Sequence, residues 1–494
     1  MSFPGPHGKE GGNMRKLRFV VHPLSVHVGA PLLLSLIGLV GALLRVYVFQ
    51  VNDGDYGIFS NLLWNFANGN GWRMSLYEGE PRVLFLADHL AWIAAPLSPV
   101  FLLFPSHYTL SVLHSLAFAA TFFLTPVFVR EVWKQNGRDD YLPPALFLLL
   151  TLALFRGFCG AWAFQSHMTT LVMPFLLAAL VALHRRAFIW AVLFCFVVAL
   201  AQERAAVAVF GVGMYAWLVT QNRRLGFVLC LLSAAYFFAA VKYIIPFFAG
   251  GGDYIYSGSI RPFYELHAKA LFLFAFVAFW FFLPWVGRRA FWAGCSALPL
   301  LGLGLVSERQ AMYGFAHQYQ DLPTVFFLAA STFGLLHLLQ TTWFARFSRR
   351  TVVSLACLCL LVSFVDSYTV SSRRMPLRFL RTCWPLESEI PRLNEALSSH
   401  FPLPPEVKIY ASTGIGPRLS LHKYRYYLTP AMAGQHFDSS MVFVAPMHDM
   451  YPYQNQKSEI LDLLSSNPSL KLSKQSPELL VFTSVDLLNE PTAK

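Results

Sequence analysis

Asp53 and Asp55 are two carboxylates separated by one glycine, just beyond an apolar run that closes near Gln50. Such a pair could take a proton from a hydroxyl or ligate a divalent metal at a membrane surface. Asp53-Gly54 also has the makings of a turn, and Asp55 could cap the helix suggested by Ile58, Leu62, Leu63 and Phe66. The Asp-x-Asp spacing alone does not separate these readings, but its setting is unusual. Residues 51–89 hold five carboxylates (Asp53, Asp55, Glu78, Glu80, Asp88) against two arginines (Arg73, Arg82), in a chain of formal net charge +12. Aromatic and Gly/Asn residues crowd the same stretch, which suits an ordered surface element.

Glu203 and Arg204 sit between two apolar runs with almost no loop to hold them. Charges there are costly unless paired or facing a wet cavity, so they mark a functional position or the charged tip of a helix hairpin. A guanidinium fork at Arg204 matches a phosphate. Ser307-Glu308-Arg309 through His317-Gln318-Tyr319-Gln320-Asp321 mixes polar and aromatic groups in a way that suits a sugar and a phosphate bound together. His89, His167 and His317 are candidates to line the same site, although a lone histidine is more often structural. The chain has no HExxH, Walker loop, GxGxxG or nucleophile elbow, so zinc-peptidase and soluble nucleotide chemistry are unsupported.

The elements that position these residues are apolar. The 494 residues are 56% hydrophobic and 13% charged, with 46 Phe and mean hydropathy +0.49, a composition that excludes a wholly soluble protein. Apolar runs fall at about 28–50, 109–130, 142–157, 168–184, 187–202, 205–220, 226–248, 268–286, 291–306, 322–342 and 351–370. Leu90–Phe104 is short and broken by Pro96 and Pro99. If it spans there are twelve helices and every later arginine pair faces outward, which the positive-inside rule disfavours, so it is taken not to span. Alternate connections then collect Arg130/Lys134/Arg138, Arg185/Arg186, Arg223/Arg224, Arg288/Arg289 and Arg346/Arg349/Arg350 on one side with the basic N-terminus. The positive charge is therefore topology control rather than a nucleic-acid footprint. It predicts about eleven spans, a cytoplasmic N-terminal segment (1–27), a transmembrane domain (28–370) with a large first outer loop (51–108), and an outer C-terminus. The first span is too long for a signal-peptide core and is expected to be retained. The acidic loop, His167, Glu203–Arg204, the 250–267 loop and Ser307–Asp321 all then face outward.

After about Ser371 the composition changes. Runs at Val407–Ala411, Tyr424–Leu428, Met441–Val444 and Leu479–Thr483 read as strands and Lys457–Ser466 as a helix, predicting a small extracytoplasmic α/β domain over 371–494. The seven cysteines lie mostly inside apolar runs without metal spacing, so neither disulfides nor zinc is expected.

Several segments together resemble one family. Asp55-Tyr56-Gly57-Ile58-Phe59 with Leu63-Trp64-Asn65 is similar to its Asp-x-Gly-Ile-Phe and Leu-Trp-Asn opening. Asp88-His89-Leu90 with Ala95-Pro96-Leu97 resembles its His-led segment. His317-Gln318-Tyr319 resembles an outer His/Tyr motif, and Ala411-Ser412 through Gly416-Pro417-Arg418-Leu419 resembles the start of its C-terminal region. Phe164-Gln165-Ser166-His167 stands where the family has Phe-His-Pro-Glu, and Ala201-Gln202-Glu203-Arg204 where it has Lys-Glu-Asp, so one carboxylate is lost at each place. The family is the bacterial membrane group catalogued as domain of unknown function 2079, placed among the GT-C membrane glycosyltransferases.

That resemblance implies an all-α polytopic GT-C-like membrane protein of the bacterial inner membrane and an inverting transfer from a polyprenyl-phosphate sugar donor. It implies Asp55 as base with Asp53 assisting, with a divalent metal at Asp53/Asp55 as a further option. His89, His167, Glu203, Arg204, Arg309, His317 and Tyr319 are then expected to bind substrate, Arg204 and Arg309 on the donor phosphate. The partners expected are this donor and membrane lipid, with no nucleic acid. Two other functions fit the same residues: a transporter or flippase of a lipid-linked or polar solute, and a non-catalytic protein that keeps the scaffold.

Overall fold

The computed structural model describes residues 22–49, 51, 53–74, 84–164, 167–251, 254, 257–315, 318–342, 344–369, 389–400, 403–404, 406–412, 415–428, 433–445, 457–476 and 479–489. Among the described residues, each of the eleven apolar runs named above lies mainly in helix. Ser25–Tyr47, Thr109–Gln135, Arg223–Phe248 and Asp321–Gln340 are each long and apolar enough to cross a membrane. Leu142–Leu154 with Arg156–Ala163 and Arg288–Cys295 with Leu298–Val306 are pairs bent by 54° and 46°; counting each as one span gives six. The remaining runs form shorter helices, among them Met168–His184, Phe188–Ala199 and Leu266–Phe279. Twelve residues such as Phe188–Ala199 rise only about 18 Å, against a hydrocarbon core of about 30 Å. Length and composition therefore establish fewer crossings among the described residues than the eleven expected from charge alternation.

Leu90–Phe104 becomes one short apolar helix, Ala94–Leu103, about 15 Å long and too short to cross alone. Its end presents Leu102, Leu103 and Phe104 at 57%, 74% and 66% exposure, an apolar tip suited to a bilayer surface. The Ile93 N–H donates to Leu200 O at 2.8 Å, which pins this segment beside Glu203.

The C-terminal region forms a five-stranded sheet of β1 (Lys408–Ala411), β2 (Arg425–Tyr427), β3 (Ser440–Val444), β4 (Leu470–Gln475) and β5 (Leu480–Ser484), in the order β2-β1-β3-β5-β4. β1 is parallel to β2 and β3, whereas β5 runs antiparallel to β3 and β4. Successive strand residues point to opposite faces, so alternation divides the sheet between two cores. Ile409, Ala411, Phe443 and Val481 pack with Ile390, Leu393 and Leu397 of the helix Glu389–Ser398 and with Val48 and Phe49. Tyr410, Val442, Val444 and Phe482 pack with Ile460 and Leu464 of the helix Lys457–Ser466.

The first of these cores ties the sheet to the end of the first membrane helix, and polar contacts extend the tie to the helix Ile58–Ala67. Asn61 Nδ2 donates to Ser420 O at 2.8 Å and to His422 O at 2.7 Å, while Ser420 Oγ donates to Ser60 Oγ at 3.0 Å. Arg418 donates to Tyr108 Oη at 2.8 Å and also bonds His107 Nε2 and Asn394 Oδ1. Asn61 is fully buried, so Asn61→Leu would strand two carbonyls away from water. That change is expected to cost about 2–3 kcal/mol and to make the C-terminal region cleavable at lower protease concentration. Wild-type protection of the variant would remove Asn61 from this role.

Candidate active site

Three helices begin in one neighbourhood, and each carries a polar residue of the site in its first turn: Thr169 in Met168–Leu171, Glu203 in Glu203–Leu218 and Asp321 in Asp321–Gln340. Carboxylates are favoured there because unpaired N–H groups leave partial positive charge at a helix N-terminus. Asp55 enters from a turn of helix, Asp53–Gly57, that runs directly into Ile58–Ala67. That helix has no side-chain cap hydrogen bond, so capping does not account for Asp55.

Glu203, 2% exposed, is spent within the protein. Its Oε1 meets His89 Nδ1 at 2.7 Å and accepts from Tyr254 Oη at 3.0 Å, and its Oε2 accepts from the Leu90 N–H at 3.1 Å. Its side chain therefore reaches the rest of the site through His89. Burial opposes charge on that imidazole, but Glu203, then Asp88 and Asp55, outweigh it and hold the His89 pKa up at about 9. His89 is a cation at neutral pH. Burial is also the largest influence on Asp55, raising its carboxyl to about 6, with His89 pulling it down and Asp88 pushing it up.

Arg204 forms the second half of the site. Its Nη2 bonds Tyr319 O and lies 3.4 Å from Asp321 Oδ1, and its guanidinium carbon sits 4.8 Å from the centre of the Tyr319 ring. Asp321 is fully buried. Its Oδ1 also accepts from the Leu322 N–H at 2.7 Å, and its Oδ2 accepts from Thr169 Oγ1 at 2.6 Å and Thr170 Oγ1 at 3.1 Å. His167 Nδ1 is 2.9 Å from the same Thr169 hydroxyl. Phe59 joins the two halves, meeting Phe85 and His167 edge-on at 5.4 and 5.5 Å. Gly157 lets the chain close over the turn that carries Tyr319, since a Cβ there would lie 2.7 Å from Gln320 Cβ.

Tyr319 marks where the two halves meet. Its phenol feels the charges of Arg204, Asp55, Arg309 and Asp321 together. Arg309 is exposed at the edge of this group, its own N–H donating to Ser307 Oγ at 3.0 Å. Asp55, His89, His167, Glu203, Arg204, Arg309 and Tyr319 thus share one neighbourhood. His317 and the side chain of Asp53 lie outside the described residues, as do Glu78, Glu80 and Arg82. Among the described residues the one His/Asp/Glu/Cys group spaced to hold a metal is His436, Asp438 and Asp486, exposed in the C-terminal region.

Sequence reasoning named Asp321 only as the end of the segment Ser307–Asp321, with no role of its own, and missed Thr169 and Thr170. Asp321 had a readable signal: it is a carboxylate heading a long apolar run, a placement as costly as that of Glu203. Thr169 and Thr170 carried none, because two threonines opening an apolar helix are ordinary.

No curated protein matches the chain. Among solved structures it is similar to ArnT from Cupriavidus metallidurans bound to undecaprenyl phosphate, at 13% identity and TM-score 0.52, over 94% of this chain and 99% of that one. The apo state of the same protein gives 13% identity and TM-score 0.49, over 92% and 98%. Likeness to the first at this identity establishes the GT-C fold. The family model described as predicted membrane protein (DUF2079) matches residues 45–467, which include every described residue of the site, and the chain belongs to that family of membrane proteins.

Proposed function

We propose that the protein is an inverting glycosyltransferase that moves a sugar from a polyprenyl-phosphate-linked donor to an acceptor hydroxyl at the outer face of a bacterial inner membrane. The observation that carries this reading is Arg204, held by the Tyr319 carbonyl and Asp321 with its Nη1 unpartnered among the described residues. The charges of Asp55 and Arg309 also act on the Tyr319 phenol. A carboxylate poised near neutrality is suited to take the acceptor's proton. The acceptor oxygen then bonds the sugar's anomeric carbon as the bond from that carbon to the phosphate oxygen breaks. The leaving polyprenyl phosphate gathers negative charge, which Arg204 and Arg309 are placed to match.

Asp321 and the Tyr319 carbonyl fix the Arg204 side chain before any ligand arrives. Arg204 Nη1 is buried without a hydrogen-bond partner among the described residues, and a phosphate oxygen would satisfy it once the Tyr319 ring lifts. ArnT, whose fold this chain shares, has been crystallised with undecaprenyl phosphate, which supports a lipid-phosphate donor here. The docked C-terminal sheet is suited to help hold the acceptor.

The test is the lipid-linked sugar profile of a strain lacking the protein. The expected result is a rise in one polyprenyl-phosphate sugar and loss of one glycan modification, both reversed by the wild-type gene. An unchanged profile, with an unmodified solute accumulating on one side of the membrane, would replace this reading with transport.

A further inference from the structure

The hydroxyl of Thr169 fixes the protonation of His167. A threonine hydroxyl has one proton, and Thr169 spends it on Asp321 Oδ2 at 2.6 Å. Asp321 is held as an acceptor by Arg204, Thr170 and the Leu322 N–H. The 2.9 Å contact between Thr169 Oγ1 and His167 Nδ1 must then be an Nδ1–H donating to the hydroxyl. In a neutral imidazole the other nitrogen, Nε2, carries a lone pair. Nε2 has no hydrogen-bond partner among the described residues.

Apart from the Asp55 carboxylate and the buried Gln320 Oε1, such acceptors are few among the described side chains of the site. Arg204, Arg309 and the charged His89 are donors, while the oxygens of Glu203 and Asp321 already accept from protein groups. A sugar offers several hydroxyl donors, and each needs a lone pair when water is excluded. We propose that His167 is a substrate-binding residue whose Nε2 accepts a hydrogen bond from a sugar hydroxyl, and that Asp321 acts through Thr169 as a positioning residue holding the Nδ1–H tautomer. Naming a sugar rests on the glycosyltransferase reading; the tautomer does not. Burial, with the nearby charges of Arg204, His89 and His114, holds the His167 pKa well below the usual histidine range, so the ring stays neutral across physiological pH.

The tautomer is read by nitrogen NMR of the full-length protein, 15N-labelled at histidine, in lipid nanodiscs. Subtracting the spectrum of His167→Gln identifies its two ring nitrogens. The expected result is a protonated Nδ1 and an unprotonated Nε2 in the wild type and in Thr169→Ser, with the proton moving to Nε2 in Thr169→Val. A wild-type ring protonated at Nε2, or a Thr169→Val ring unchanged from wild type, overturns the proposal.

This arm uses no substrate and stands whether or not sugar transfer is found. A second arm compares lipid-linked sugar profiles. His167→Gln, whose amide carbonyl can accept, is expected to keep about tenfold more product than His167→Leu. Equal product from the two variants overturns the hydroxyl contact. A wild type that makes no sugar product would instead sink the reading of function and leave the tautomer result in place.

Discussion

Asp55→Asn is expected to lower sugar transfer by about 10²–10⁴-fold, the usual contribution of a general base, while leaving the protein folded. Asparagine keeps the shape of the side chain and removes only its capacity to take a proton. Because burial raises the Asp55 pKa to about 6, wild-type transfer should climb as pH rises through that value and the carboxyl ionises. The sign for stability is the reverse. A carboxyl whose folded pKa lies above its ordinary 3.8 favours folding while protonated, and that contribution is lost as pH rises through about 6. At neutral pH the ionised group is a burden on the fold, so Asp55→Asn should leave the thermal midpoint unchanged or raise it. Retained activity would remove Asp55 as the base. A lowered midpoint would show that its negative charge is needed for folding.

Glu203→Gln carries the largest expected loss of stability. The His89 pKa of about 9, against an ordinary 6.5, corresponds to roughly 3 kcal/mol supplied to the protonated ring against its own burial, chiefly by Glu203. That stabilisation is complete below pH 6.5 and disappears as pH rises through about 9, so wild-type stability should decline across that window. With glutamine in place, most of the loss is already present at pH 6 and the decline flattens. Denaturation in a fixed detergent at several pH values reads both features. Activity offers a second view, since a neutral His89 no longer pulls the Asp55 pKa down, and the acidic limb of the pH–rate profile should move upward. A variant with the wild-type slope of stability against pH would show that His89 is not charged through Glu203.

The fold class was legible in the apolar runs and in the changed composition of the tail. Glu203 and Arg204 drew attention because charge beside apolar helices is costly, and they lie in the hydrogen-bonded network. Their division of labour was not readable, because it depends on which neighbour each meets: Glu203 faces His89 across 114 residues of sequence, and Arg204 faces Asp321 across 117. Four of the five strands were visible as β-branched and aromatic runs. β4 was not, because Leu470-Lys471-Leu472-Ser473-Lys474-Gln475 is an edge strand whose lysines blunt the apolar signal. The helix Glu389–Ser398 was missed as well, since only Ile390, Leu393 and Leu397 give it a buried stripe. The 54° bend falls at Phe155, so the run 142–157 ends two residues into a second helix, Arg156–Phe164, that was not read from the sequence.

The contacts of Asn61 with Ser420 and His422 join positions 359 and 361 residues apart. A ribosome makes the segment bearing Asp55 long before the residues that clasp it. The helix after Asp55 therefore waits, without these bonds, until residues 420–422 have been synthesised. Seating of this helix is in this way a late step of biogenesis, and a chain cut short before Ser420 would carry Asp55 without the bonds that hold the helix after it.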